Sequence, residues 1–246
     1  MFKPKHSPIT LSNSTEALPA TFSLLTWNLQ KTKFPHHANR SISDLLGIDD
    51  IHLLSLQEAA VQAQQNKFFG LPFLIAPNIE RTNKLYGVVT ASAFQQKTHH
   101  QCLTSSKELG FTTHKTAIIS QHTLANQQIL THINIHAINF VPHYIFKKEL
   151  QLLWHKIEQL SGPLIISGDF NTWNKTRLTT LTTATQKLHL KMVDFPDSKP
   201  IKTLNRQPLD HIFYRGLILD NAMALTVPHI SDHNPLIATF STPKNI

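Results

Sequence analysis

The chain has 246 residues, of which 41% are hydrophobic, and carries 23 Lys and Arg against 15 Asp and Glu. This length fits one domain with a core that needs no disulfide. A single cysteine, Cys102, excludes an intramolecular disulfide and a cysteine-based zinc cluster. The net charge of +8 favours a polyanionic partner such as nucleic acid. No run approaches the roughly 18 apolar residues of a membrane span, and the N-terminus lacks an apolar signal region, so we expect a cytoplasmic protein without membrane insertion.

Residues 1–20 contain three prolines and no periodic apolar pattern, which predicts a flexible N-terminal arm. Residues 21–246 are predicted to form one domain. Within it, short apolar and β-branched runs each end in a polar cluster, a pattern typical of strands. In chain order these runs are TFSLLTWNL, HLLSLQEA, GVVTASA, KTAIISQ, QILTHINIHAIN, GPLIISGDF, PLDHIFYRG and NPLIATF.

Three segments carry a helical pattern. In YIFKKELQLLWHKIEQL, apolar residues recur on one helical face from Phe146 to Leu160, and Gly162-Pro163 ends the helix. Weaker helices are predicted at NRSISDLLG and TRLTTLTTATQKL. Many strands and few helices together predict two packed sheets with helices on their outer faces.

Several predicted strands end in polar residues that are costly to bury. These residues are Asn28, Glu58, His136, Asp169 with Asn171, Asp210 with His211, and Asp232 with His233. Any one of them is explained as a cap or a turn residue. Six such segments together predict strand ends that converge on one cleft. Strand alternation points His211 away from Asp210, so His211 is predicted to be structural.

The residue types in this set restrict the chemistry. Carboxylates without cysteine favour a hard cation such as Mg²⁺ or Mn²⁺, with Glu58 as the leading ligand and Asp232 as a candidate second ligand. Hydrolysis of a phosphodiester needs a base, donors to the phosphoryl oxygens and help for the leaving oxygen. A carboxylate from another strand, for which Asp210 is the natural choice, would hold His233 in the required tautomer.

The strings TWNLQ, LQEA, NIHAINF, GDFN, LDHIF and SDHNPL resemble, in this order, the motifs of the endonuclease/exonuclease/phosphatase superfamily, the DNase I-like proteins. The resemblance spans residues 22–240. The longer strings INIHAINF, SGPLIISGDFNTW and PLDHIFYRGL are most similar to its small bacterial YafD-like group. Membership would imply an α/β fold, specifically a four-layered α-β-β-α sandwich of two mainly antiparallel sheets, and a hydrolase that uses Mg²⁺ or Mn²⁺.

The resemblance also implies roles for the matching residues that would hold the metal and the phosphate. Glu58 would bind the divalent ion, Asp232 would bind it or orient its ligands, and Asn28 would position metal, phosphate or catalytic acids. His136 would donate to the scissile phosphate, and Asn171 would hold a phosphate oxygen.

For the proton transfers, the resemblance implies that Asp210 pairs with His233. Asp169 would orient or deprotonate the attacking water, or protonate the leaving group. Which of Asp169 and His233 is the general base stays open at this point.

The surroundings of the cleft suggest further contacts. Residues 169–215 contain eight Lys and Arg, which predicts a positive rim that includes Arg206 as a substrate-binding residue. Trp173, just after GDFN, is a candidate for stacking on a base, or else a packed loop anchor. His132 lies four residues before His136, on the same face of a strand, and is predicted to be exposed to solvent.

Three functions remain open from the sequence. The first is a divalent-metal-dependent phosphodiester hydrolase, a nuclease acting on DNA or RNA. The second is a phosphatase or phosphodiesterase acting on a small or lipid-linked phosphate, because attack at phosphorus does not depend on the rest of the leaving group. The third is a non-catalytic module that binds polyanions. For all three we expect a monomer with no obligate protein partner.

Overall fold

The computed structural model describes residues 14–31, 41–48, 50–62, 64–81, 83–108 and 114–243. The elements, in chain order, are β1 (Thr21–Asn28), α1 (Ile42–Leu46), β2 (Ile51–Gln62), β3 (Phe73–Arg81), β4 (Lys84–Ala91), β5 (Gln96–Leu103), β6 (Thr116–Thr123), β7 (Ile129–His136), α2 (His143–Ile157), β8 (Leu164–Asp169), α3 (Lys175–Lys187), β9 (Lys191–Met192), β10 (Thr203–Leu204), β11 (Gln207–Pro208), β12 (Asp210–Arg215), β13 (Ile218–Ala224) and β14 (Leu236–Ser241).

Twelve of the fourteen described strands form two six-stranded sheets, and β10 and β11 form a separate two-stranded hairpin. The strand order is β13-β14-β1-β2-β4-β3 in the first sheet and β5-β6-β7-β8-β12-β9 in the second. In each sheet one pair is parallel, β1 with β2 and β7 with β8, and the other described pairs are antiparallel. The predicted pair of mainly antiparallel sheets is therefore confirmed.

The apolar residues form clusters that define the layers. On the outer face of the second sheet, Ile133 and Ile166 pack with Phe146 and Leu150 of α2 and with Leu181 of α3. On the outer face of the first sheet, Trp27 and Leu56 pack with Ile42 of the short helix α1. A third cluster, which includes Leu24, Ile165 and Leu236, combines strands of both sheets. This arrangement is the predicted α-β-β-α sandwich, with one helical layer much thinner than the other.

The strands that the sequence pattern missed lie mainly at sheet edges. β3 is the edge strand of the first sheet, and Pro77 lies at its bulge, where a proline needs no ladder partner. β13 is the opposite edge, and its residues are largely exposed. Since an edge strand lacks one neighbour, its sequence need not show a buried apolar face.

The predicted N-terminal arm is only partly covered, because residues 1–13 lie outside the described residues. Of the described remainder, Leu18 is fully buried, and its N–H donates to the carbonyl of Thr123 at 2.8 Å. The carbonyl of Glu16 accepts from the N–H of Gln95 at 2.8 Å. Contacts with the domain therefore begin before Thr21, and the division at residue 20 stays a prediction for the preceding residues. In the described part of the chain, α1, α2 and α3 all lack the length and apolarity that a membrane span requires.

A layer of polar side chains is buried between the sheets. The Nε2 of Gln57 donates to the Oδ1 of Asn134 at 2.8 Å, from one sheet to the other. The hydroxyl of Ser167 donates to that of Ser55 at 2.7 Å and lies 3.0 Å from the Nε2 of His132. His132 is fully buried, so the prediction that it faces solvent was wrong. Alternation in β7 points it between the sheets, where the hydroxyl of Ser167 engages its Nε2.

Candidate active site

Three neighbouring strands of the second sheet bring His136, Asp169 and Asp210 together at one edge. His136 is opposite Asp169 in the parallel pair β7–β8, and Asp169 is opposite Asp210 in the antiparallel pair β8–β12. The Nε2 of His136 lies 3.6 Å from the Oδ2 of Asp169. Gly168 allows this close approach because its φ is 139° and a side chain there would collide with the carbonyl of Ile135.

The first sheet contributes Asn28 from the end of β1 and Glu58 from within β2, next to Gln57, which pairs with Asn28. A bulge between Leu56 and Ala59 puts Glu58 at a positive φ of 50°, and such bulges re-aim a side chain. The Nδ2 of Asn28 donates to the Oδ2 of Asp169 at 2.9 Å. This hydrogen bond links the two sheets at the site.

The turn before β14 delivers His233 to the same place. The indole N–H of Trp27 donates to the carbonyl of His233 at 2.9 Å, and the hydroxyl of Ser231 donates to the carbonyl of Asn28 at 2.6 Å. The Nδ1 of His233 lies 2.7 Å from the Oδ2 of Asp210. One polar atom of each of Asp169, Asp210 and His233 lies within 4.8 Å of the others. The predicted convergence of strand ends therefore exists in the structure.

The electrostatics of this cluster favour a protonated imidazole beside carboxylates. Burial would lower the pKa of His233, but the charge of Asp210 and its hydrogen bond, with further help from Asp169 and Asp232, raise it to about 9. Burial and then the nearby charge of Asp210 raise the pKa of Asp169 to about 7, against the opposing effects of His233 and of donors from Asn171 and Asn28. Asp169 can thus exchange a proton near neutral pH.

A second group of charges surrounds Glu58. One Glu58 carboxylate oxygen lies 3.6 Å from the Nζ of Lys115 and 3.7 Å from the Nε2 of His136, and the other lies 3.7 Å from the Nζ of Lys31. Lys115 also lies 3.6 Å from a carboxylate oxygen of Glu108 and 3.0 Å from the Nε2 of His136. Burial, and then the charge of Lys115, lower the pKa of His136 well below its usual value, so His136 is neutral here.

Sequence reasoning missed Lys115 and Glu108. The available signal was that β6 is antiparallel to β7, so residues just before β6 meet the end of β7. Ala117 pairs with Ile135, which places Lys115 beside the position that follows His136. The sequence pattern selects polar residues that end strands, and it does not select a lysine that precedes one.

Asn171 and Trp173 lie in the segment that follows β8. The N–H of Asn171 donates to the Oδ1 of Asp169 at 2.9 Å, and its Nδ2 donates to the carbonyl of Ala137 at the same distance. Asn171 has a positive φ of 51°, a conformation that is sparsely populated outside glycine and often found at functional sites. The indole N–H of Trp173 donates to the Oδ1 of Asn139 at 3.0 Å. Asn171 therefore borders the cluster, whereas the hydrogen bond of Trp173 is with Asn139, outside it.

Arg177 corrects part of the predicted positive rim, because its side chain is buried and structural. Its guanidinium donates to the carbonyls of Asn171 and Val141 at 3.1 and 2.8 Å, and to a third nearby carbonyl. It lies between the rings of Phe146 and Trp173, with centroids at 4.4 and 4.8 Å. Arg215 is likewise bound to backbone carbonyls. The rim is thus reduced to Lys175, Lys187, Lys191, Lys199, Lys202 and Arg206, and α3 separates the first two of these by its whole length.

Two predicted site residues lie outside the cluster. Asp232 is 43% exposed, forms an ion pair with the Nζ of Lys202 at 2.9 Å, and lies 3.9 Å from the Nε2 of His233. Arg206 is exposed at the turn between β10 and β11, with a φ of 61°. Among the described residues, no contact joins Arg206 to the others of the site. His211, predicted to be structural, packs between Phe170 and Phe213.

The donor set suits a hard divalent cation. Glu58 presents a carboxylate that is 18% exposed. Asp169 and Asp210 form a buried pair of acids, and His136 lies close to both Asp169 and Glu58. Oxygen ligands of this kind match Mg²⁺ or Mn²⁺. Asp169, Asp210 and His233 form the tighter group, yet hydrogen bonds already engage all three. Glu58, which makes only long ion pairs, is the better candidate for a metal ligand.

Comparison with known proteins gives one family. Residues 25–233 match the model of the Endonuclease/Exonuclease/phosphatase family. A UPF0294 protein of Vibrio parahaemolyticus is 34% identical over 221 residues, which are 89% of this chain and 77% of that protein.

Solved structures agree on the fold. An endonuclease/exonuclease/phosphatase family protein from Leptotrichia buccalis superposes with a TM-score of 0.65 at 15% identity, over 89% of this chain and 99% of that one. The human Nocturnin catalytic domain with bound sulfate superposes with a TM-score of 0.64 at 20% identity, over 92% of this chain and 96% of that one.

Proposed function

Since the chain belongs to the endonuclease/exonuclease/phosphatase family, we propose that it is a divalent-metal-dependent phosphodiester hydrolase that acts on DNA or RNA. The observation that carries this proposal is the Asp210–His233 pair, at 2.7 Å, beside Asp169. A carboxylate, an imidazolium and a second carboxylate that exchanges a proton near pH 7 are the groups that phosphoester hydrolysis uses.

Asp169 is the proposed general base. Its raised pKa of about 7 suits a group that takes a proton from water at neutral pH. The Nδ2 of Asn28 and the N–H of Asn171 donate to its two oxygens, and these hydrogen bonds fix the carboxylate in one orientation. These observations support Asp169 over His233 as the base, a choice that the sequence left open.

His233 is the proposed partner of the phosphate. With a pKa of about 9 it is an imidazolium at pH 7, and it donates from Nδ1 to Asp210. Its Nε2 is then also a donor, suited to the negative charge that develops on a phosphoryl oxygen. Glu58 is the proposed metal ligand, and Asn28 and Asp232 stay further candidates although Asp232 lies outside the cluster and pairs with Lys202. A bound Mg²⁺ or Mn²⁺ supplies Lewis acidity toward the phosphate.

Nucleic acid is the proposed substrate class because of charge and exposed aromatic rings. The net charge of +8 favours a polyanion. Phe140 is 60% exposed in the loop after β7, and Asn139 connects it to the site by accepting from both the N–H of Phe140 and the indole of Trp173. An exposed ring near a phosphate-binding site offers a surface on which a base can stack.

The test is a substrate panel with purified protein: plasmid DNA, abasic duplex, single-stranded DNA, RNA, and small and lipid-linked phosphoesters, each with Mg²⁺, Mn²⁺ or EDTA. We expect metal-dependent cleavage of a nucleic acid. Asp169→Asn should lower the rate about 10²- to 10⁴-fold, the usual contribution of a general base. His155→Gln, at a histidine whose side chain is 81% exposed on α2, is the matched control and should retain activity.

The other outcomes are equally informative. Hydrolysis confined to a small or lipid-linked phosphate would keep the chemistry and replace the substrate class. Nucleic-acid binding without cleavage of any member of the panel would make the protein a polyanion-binding module and overturn the proposal.

A further inference from the structure

Lys115 is an unusual residue to find inside this site. Its side chain is only 8% exposed, and its ammonium lies between Glu58, Glu108 and His136. A buried lysine needs compensation by hydrogen bonds or opposite charges. Here that compensation comes from two carboxylates and one neutral ring at the edge of the proposed catalytic cluster.

Among the residues that the structure describes, this ammonium is incompletely satisfied by hydrogen bonds. The contacts with Glu58 and Glu108 are both 3.6 Å, which is an ion-pair distance but longer than a good N–H···O hydrogen bond. The contact with the Nε2 of His136, at 3.0 Å, has hydrogen-bond length. The same ammonium lies 3.5 Å from the Nδ1 of His136. An ammonium has three N–H donors, so with respect to the described residues the donors that face Glu58 and Glu108 at 3.6 Å remain for an incoming anion.

The same contact constrains His136. A lysine ammonium can only donate, and it lies 3.0 Å from the Nε2 and 3.5 Å from the Nδ1 of His136, so the shorter contact assigns Nε2 as the acceptor. In this arrangement His136 does not present an Nε2–H to a phosphate, the role expected of it from sequence. The group at this position that points donors into the site is Lys115.

We propose that Lys115 is a phosphate-binding residue of this site, which takes over the donor role expected of His136 and is positioned by His136. Before substrate binds, its ammonium neutralises Glu58 and Glu108. A phosphoryl oxygen that enters next to Glu58 accepts an N–H from Lys115 in a charge-assisted hydrogen bond. This inference rests on the proposed function, since it assigns a ligand to the same site.

The first test measures binding of inorganic phosphate to the metal-free protein by calorimetry. We expect Lys115→Met to weaken phosphate binding about tenfold to a hundredfold, the range for a hydrogen bond to a charged group. Lys31→Met is the matched control. It removes one positive charge from the same carboxylate, but Lys31 is 51% exposed and makes only a 3.7 Å contact, so we expect a change below about threefold.

A second variant is expected to change phosphate affinity in the opposite direction. Glu108→Gln keeps the shape of the side chain, including an oxygen that accepts from the N–H of Asn139 at 2.7 Å, and removes a charge that competes for Lys115. We expect tighter phosphate binding than in the wild type. If Lys115→Met fails to fold, which circular dichroism will reveal, the sign of the Glu108→Gln effect decides the question.

Mn²⁺ binding, measured by electron paramagnetic resonance, distinguishes the effect of the Lys115 charge on Glu58 from the hydrogen bond that Lys115 donates to phosphate. Removal of the ammonium from Glu58 should leave Mn²⁺ affinity equal to or higher than in the wild type, while phosphate affinity falls. Phosphate binding unchanged in Lys115→Met, or weakened in Glu108→Gln, would overturn the role of Lys115. Absence of phosphoester cleavage by the wild type would overturn the proposed function alone, because the phosphate-binding measurement needs no turnover.

Discussion

Asp210→Asn is the sharpest perturbation of the site. The substitution keeps the size of the side chain but removes the charge that lies 2.7 Å from the Nδ1 of His233. The pKa of His233 is about 9, against an ordinary value of 6.5, although burial alone would lower it. At about 1.4 kcal/mol for each pKa unit, the protonated ring is favoured by about 3 kcal/mol. We expect Asp210→Asn to lower this pKa by about 1 to 3 units, the range for loss of an adjacent opposite charge.

The assay is an NMR titration of the His233 ring from pH 5 to 10, paired with rates on the preferred substrate. If the imidazolium serves the phosphate, the rate of Asp210→Asn at pH 7.5 should fall about 10²- to 10⁴-fold. Asp220→Asn is the control, because Asp220 is an exposed acid in β13 whose carboxylate accepts from the hydroxyl of Ser241. A His233 that still titrated near 9 in Asp210→Asn would refute the electrostatic reasoning.

Three further predictions concern stability and substrate binding. Burial lowers the pKa of His122 to about 4, so folding favours its neutral form. The contribution of this ring to stability is fully present above pH 6.5 and should be lost as the pH drops toward 4, by up to about 3 kcal/mol. The urea midpoint of His122→Gln should therefore fall less steeply with decreasing pH than that of the wild type. Phe140→Ser should raise KM for single-stranded nucleic acid with little change in kcat, because stacking contributes about 1 to 3 kcal/mol per base; an unchanged KM would remove Phe140 from the substrate path. Arg177→Met should cost about 2 to 4 kcal/mol in thermal or urea unfolding, because it leaves three carbonyls without a donor, whereas Arg206→Met at an exposed turn should stay within about 0.5 kcal/mol.

The sequence was most informative where a strand is buried on both faces. The eight predicted runs all contain strands, because central strands such as β1 and β8 carry continuous apolar character up to the polar residue that ends them. Asn28, Asp169 and Asp210 were found by this rule. The same rule does not identify edge strands or the polar residues between the sheets. A buried histidine and an exposed histidine at position 132 would give the same sequence pattern.

The site residues that escaped prediction depend on pairing between strands rather than on local pattern. Lys115 joins the cluster only because β6 runs antiparallel to β7 and begins where β7 ends. From composition, Arg177 is predicted to be one of the exposed charges of the positive rim. In the fold its guanidinium contacts two aromatic rings. Asp232 illustrates the reverse case, because its neighbour His233 turns inward while Asp232 pairs with Lys202 at the surface.

The separation of Asn28 and His233 along the polypeptide has a consequence for biosynthesis. After Asn28 the ribosome must add 205 residues to reach His233, which takes about 10 to 40 s at elongation rates of 5–20 residues per second. During all of that interval the emerging polypeptide lacks the imidazole of His233, and until residue 210 is added it also lacks the carboxylate partner of that ring. The cluster of Asp169, Asp210 and His233 can therefore assemble only once synthesis has passed residue 233.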